Sequence, residues 1–165
     1  MEFLGNSKGS KPLTADTHSL YQALAVGDLP AAWLLTRPFL EQGRNEKLSV
    51  STAFNCGLCL YQLGEYEKAL AELKRAEQSL NTPPDIDMQE KKLFLHAIET
   101  GKKTVLLPLN PESEKGLERY ALIRVRWLIA LCLMQLERQQ EAAPMIRFLN
   151  QYHIELQEGG IPSCN

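Results

Sequence analysis

Cys56-Gly-Leu-Cys59 is the closest this sequence comes to a reactive motif. A dithiol at that spacing performs redox exchange when it opens a helix after a strand, and binds zinc when a second ligand pair lies within reach. Here the pair sits inside a run of helical periodicity, while Cys132 and Cys164 stand singly, so Cys56 and Cys59 read as small apolar residues of a helix interface. His18, His96 and His153 are scattered along the chain and form no ligand set or catalytic dyad. No phosphate-cradling, dinucleotide-binding or nucleophile-elbow motif occurs, so an enzyme has no residues to rest on and neither cofactor nor metal is expected. Lys102, Lys103, Lys115, Arg119, Arg124 and Arg126 would gather basic charge, but Glu112, Glu114 and Glu118 interleave with them and the cluster reads as a solvated face. A net charge of −2 leaves no electrostatic footprint for nucleic acid or an acidic membrane.

If no constellation does chemistry, the elements themselves carry the information, and they repeat. Residues 56–73, CGLCLYQLGEYEKALAEL, align without a gap on residues 129–146, IALCLMQLERQQEAAPMI, so that Cys59 meets Cys132, Leu63 meets Leu136 and Ala69 meets Ala142. A third copy, YQALAVGDLPAAWLL at residues 21–35, places Gly27 on Gly64 and Ala32 on Ala69. The turn glycines Gly27 and Gly64 stand 37 residues apart; the same step lands on Gly101, and a further 36 reaches Glu137. Four turns at near-constant spacing predict four helix pairs. Glycine at such a turn supplies the left-handed backbone that ends the first helix, and the recurring alanine lets the second helix approach closely. Apolar residues at helical spacing, such as Leu60, Leu63, Leu70 and Leu73, form a seam that one pair cannot bury alone, so neighbouring pairs must stack.

The expected helices span about 15–26, 29–42, 46–63, 66–81, 86–100, 111–136 and 139–157. Thr82-Pro83-Pro84-Asp85 breaks the second pair, and Asn110-Pro111-Glu112 reads as a cap with proline at the first helical position. KKTVLLPL, between Gly101 and Asn110, fills the slot of a second helix yet is too short and holds Pro108, predicting a turn of helix followed by an extended connection. Pro144 is expected to kink the last helix or delay its start. The domain is expected over residues 13–158, with flexible segments at 1–12 and 159–165. No signal peptide or membrane-length apolar run occurs, so a cytoplasmic location is expected.

The stretch 56–80 resembles a tetratricopeptide repeat: Gly57, Leu60, Gly64, Tyr66, Ala69, Leu73 and Ala76 fall at that family's signature positions, with Pro83 near the repeat end. The copy at the chain's end keeps Ala130, Leu133 and Ala142 but has Glu137 at the turn, and the third keeps Gly101 but lacks the alanine. The resemblance implies an all-α fold, an α-α superhelix of about four such repeats, the third degenerate, whose first helices line a concave groove for a peptide or partner helix. In that register the groove is lined by Thr17 and Tyr21; by Phe54, Asn55, Leu58 and Tyr61; by Lys91, Lys92, Leu95 and Ile98; and by Arg124, Trp127, Leu131 and Met134. Tyr21, Tyr61 and Trp127 fit a core role equally well. The family's carboxylate clamp, two lysines, two asparagines and an arginine, would fall on Thr17, Tyr21, Asn55, Met88 and Lys92, where only Asn55 matches.

The expected function is therefore a non-catalytic scaffold that binds a peptide or helix of a partner protein. Alternatives are a secretion-type chaperone for an unfolded partner segment, a peptide-sensing regulatory domain, and a structural subunit that self-assembles through its terminal helix faces.

Overall fold

In the computed structural model, residues 14–42, 47–80, 106–113 and 117–156 are described. They form helices α1 (Thr14–Ala25), α2 (Leu29–Gln42), α3 (Val50–Gln62) and α4 (Tyr66–Ser79), one 3₁₀ turn (Pro111–Ser113), and helices α5 (Glu118–Gln135) and α6 (Gln139–Asn150). Among the described residues there is no strand, and no helix is long and apolar enough to cross a membrane.

Among the described residues, the turns within the three helix pairs are built alike, bond for bond. Gly27 donates to the Leu24 carbonyl at 3.1 Å and Asp28 to that of Ala23 at 2.9 Å; Gly64 and Glu65 repeat this with Tyr61 and Leu60, and Glu137 and Arg138 with Met134 and Leu133. Such double closure satisfies the orphan carbonyls of the first helix and needs a left-handed residue at its corner. Gly27 (φ 75°), Gly64 (φ 78°) and Glu137 (φ 57°) supply it, so glutamate takes the strained conformation where the sequence pattern places glycine. Five residues on, Ala32, Ala69 and Ala142 each close the first bond of the second helix and are fully buried. Starts are capped locally as well: Asp28 Oδ1 accepts from the Ala31 amide at 3.1 Å, and Ser49 Oγ from that of Thr52 at 3.2 Å.

Pairs α1/α2, α3/α4 and α5/α6 stack in sequence order. Helix α3 packs on both α2 and α1, and α5 packs in the same way on both α4 and α3. The pair next to α3/α4 is thus α5/α6, which occupies the place that the four-repeat reading gave to a degenerate third pair. The forecast 86–100 helix and Gly101 turn lie outside the described residues, as do the segments 1–12 and 159–165 and the break at residues 82–85. The interface of the central pair is tight. A Cβ on Gly57 would stand 2.7 Å from Leu73 Cγ, so only glycine lets α3 and α4 meet at this depth. Every residue of α3 from Ser51 to Tyr61 is buried. Across the next interface Arg126 of α5 donates to Glu77 of α4 at 2.8 Å.

Two boundaries depart from the sequence reading. Asn110 Oδ1 accepts from the Glu112 amide at 3.0 Å as a cap should, but the structure it starts is one 3₁₀ turn, and α5 begins only at Glu118. Residues 114–116, between them, lie outside the described residues. Helix α6 begins at Gln139 with no delay from Pro144 and stops at Asn150 rather than at 157. There the chain turns through left-handed His153 (φ 57°) and folds Tyr152 and Ile154 onto Ile123, Ala130 and Leu149, a second, smaller core on the outer side of α5.

Candidate functional site

The first helices of the three pairs lie side by side, α3 between α1 and α5. One further piece of chain crosses all three. Residues 106–113 contact α5, then α3, then α1. Arg124 of α5 donates from Nη2 to the Leu107 carbonyl. Asn55 of α3 donates from Nδ2 to the Leu109 carbonyl at 2.9 Å and accepts the Leu109 amide on Oδ1 at 2.8 Å. The turn Pro111–Ser113 then packs on α1.

The chemistry of this site is backbone recognition. A carboxamide that pairs with both the N–H and the C=O of one residue fixes an extended strand without reading its side chain. Asn55 is buried at 1% exposure, so an unpaired amide there would carry its full desolvation cost, on the order of 1–3 kcal/mol. Arg124 is a buried guanidinium at 2% exposure. Burial pulls its pKa down, and the neighbouring Tyr120 opposes that pull. Its charge is accommodated by polar and π contacts: Nη1 donates to the Tyr120 hydroxyl at 2.9 Å, and the guanidinium lies 5.3 Å from the Phe54 ring centre and 5.6 Å from that of Tyr120. Of the bound segment, Leu109 is buried, Leu106 half-buried and Leu107 52% exposed. A cavity of about 430 Å³ continues beside Pro108, Leu109 and Asn110, bounded by Ser51, Leu80 and Ala121.

Of the expected groove residues, Asn55 and Arg124 meet at this segment with Phe54 beneath the guanidinium, whereas Phe54 and Leu58, at zero exposure, belong to the main core. Tyr61 is buried with its ring 5.4 Å from that of Tyr66, and desolvation pushes its phenol pKa to about 12. Tyr21, Trp127, Leu131 and Met134 are half-buried; Trp127 packs between the two cores. Thr17 is half-buried on α1, and Met88, Lys91, Lys92, Leu95 and Ile98 lie outside the described residues. The sequence reading recognised residues 102–109 as irregular but did not place Leu107 and Leu109 at this site. Its signal was available, because three leucines around a proline cannot remain solvated without cost and must find an apolar surface.

The reactive side chains are occupied structurally. Cys56, Cys59 and Cys132 are buried free thiols. Burial raises all three thiol pKa values, that of Cys132 to about 12, so the thiolate needed for exchange or ligation is scarcely populated. Of the basic cluster, Arg124 is buried, Arg119 bonds the Tyr152 hydroxyl at 2.9 Å, and Arg126 pairs with Glu77 and covers the Phe148 ring at 4.3 Å; Lys102, Lys103 and Lys115 lie outside the described residues. Among the described residues no group of histidine, cysteine and carboxylate side chains is arranged to hold a metal. Comparison of the chain with protein-family models, curated proteins and solved structures finds no match.

Proposed function

We propose that this protein is a non-catalytic cytoplasmic scaffold of tetratricopeptide type, whose stacked pairs wind as a superhelix and hold an extended segment of a partner protein across α1, α3 and α5. The observation that carries this reading is the pair of hydrogen bonds between Asn55 and the Leu109 backbone. It supplies a binding mode in which main-chain bonds give affinity and neighbouring apolar surface gives selectivity. The closely matched turns support the family resemblance, and the raised thiol pKa values support a role without chemistry. Because Asn55 reads only main chain, an unfolded partner segment suits the site, and this favours a secretion-type chaperone as the second reading.

The test is selection of peptides from a random display library on the folded protein, followed by titration with and without Asn55→Ala, both in a Leu109→Gly background that frees Asn55 from the chain's own segment. Selected peptides are expected to lose at least 10-fold in affinity for the variant. Equal affinity for both proteins would place partner binding away from this face.

A further inference from the structure

The segment that crosses α1, α3 and α5 belongs to this chain, and that has a regulatory consequence. We infer that residues 107–110 are an internal competitor, a tethered pseudo-ligand that occupies the partner face and is displaced by a partner segment of the same chemistry, an extended apolar stretch with leucine after proline. This rests on the scaffold reading and adds the regulation of its site.

Three observations carry it. The bonds from Asn55 and Arg124 go to its main chain, Leu109 N–H and C=O to Asn55 and Leu107 C=O to Arg124, so another extended chain can take them over. Pro108 has no N–H to lose and restricts its neighbour to extended backbone, so the segment is preorganised as a strand-like ligand rather than as a helix of the stack. The occupant also fills its surroundings incompletely: Leu107 stays half in solvent, and the cavity of about 430 Å³ continues past Leu109 towards Ser51, Leu80 and Ala121, where the side chains of a longer occupant have room. A strut selected for stability alone would bury both leucines. Tethering sets an effective concentration on the order of 1 mM, so a free peptide with an intrinsic Kd of about 10 µM would face a handicap of roughly 100-fold.

The experiment titrates a fluorescent peptide with the sequence of residues 103–113, KTVLLPLNPES, into the full-length protein and into the variant Leu107→Gly/Pro108→Ser/Leu109→Gly. The variant is expected to bind it at least 10-fold more tightly. In the unmutated protein, saturating peptide is expected to speed hydrogen exchange at the Leu109 amide while the amides of α3 and α5 stay protected. Equal affinity for both proteins with an unchanged Leu109 amide would overturn the inference and leave the scaffold reading with a different face. No binding to either, or a variant that no longer unfolds cooperatively, would overturn it by making the segment a strut. The scaffold reading would then stand or fall on the displayed peptides.

Discussion

Glu137 shows what a single residue contributes to this architecture. It holds the left-handed corner that Gly27 and Gly64 hold in the other turns, with the same two hydrogen bonds around it. A non-glycine residue in that region is strained by about 1 kcal/mol. Glu137→Gly should therefore raise stability by about 1 kcal/mol, and Gly64→Ala should lower it by a similar amount, both read from urea unfolding. The second change isolates the conformational effect, since a Cβ at Gly64 meets nothing within 4 Å. A fall in stability for Glu137→Gly would mean that the glutamate side chain does more than tolerate its position. The cysteines make a different residue-scale point. With their pKa values raised by burial, Cys56, Cys59 and Cys132 should resist iodoacetamide at pH 8 in the folded protein and react fully in guanidinium, as peptide mapping by mass spectrometry would show. Rapid labelling of Cys56 or Cys59 in the native state would reopen the dithiol chemistry that their spacing suggests.

Between helices, the deciding contact is that of Gly57 with Leu73. Alanine at position 57 would gain about 1 kcal/mol in helix propensity but would force its Cβ to within 2.7 Å of Leu73 Cγ and 2.9 Å of its Cδ2. Overpacking of this kind costs about 1–3 kcal/mol, so Gly57→Ala should be destabilising in the unmutated background. With Leu73→Ala already present both clashing atoms are gone, and Gly57→Ala should become stabilising by about 0.5–1 kcal/mol. A double-mutant cycle measures that reversal, and additive effects would show that the two helices do not meet as described. This contact also shows why much of the fold was legible. Glycine, the turn and the buried alanine recur at fixed steps because each solves a steric problem that every helix pair meets, and steric problems leave a residue type behind. What the pattern could not give is which pairs are neighbours. Gly101 continues the 37-residue step, yet α4 packs on α5, because adjacency follows from complementary surfaces and not from turn spacing. The site was half legible for the same reason. Asn55 and Arg124 could be placed on first helices from the repeat register, but their occupant comes from an irregular segment with no period to read.

Considered as a whole molecule, a stack of helix pairs leaves its outermost pair with an apolar face, and such faces lead to end-to-end association unless they are covered. In the last described pair the cover is the chain that follows α6. Tyr152 and Ile154, at 2% and 3% exposure, lie against Ile123, Ala130 and Leu149, and Arg119 ties the Tyr152 hydroxyl back to the start of α5. This cover opposes self-assembly through that face, the alternative the sequence left open. Tyr152→Ala should remove about 3–5 kcal/mol of stability by emptying the centre of the smaller core. It should also uncover the outer side of α5, so that the sedimentation coefficient rises with protein concentration while that of the unmutated protein does not. A variant that loses stability yet sediments independently of concentration would show Tyr152 to be core alone. In that case the outer side of α5 must be protected by the half-buried ring of Trp127 and by the ring of Phe148 beneath Arg126, which would remain in place without Tyr152.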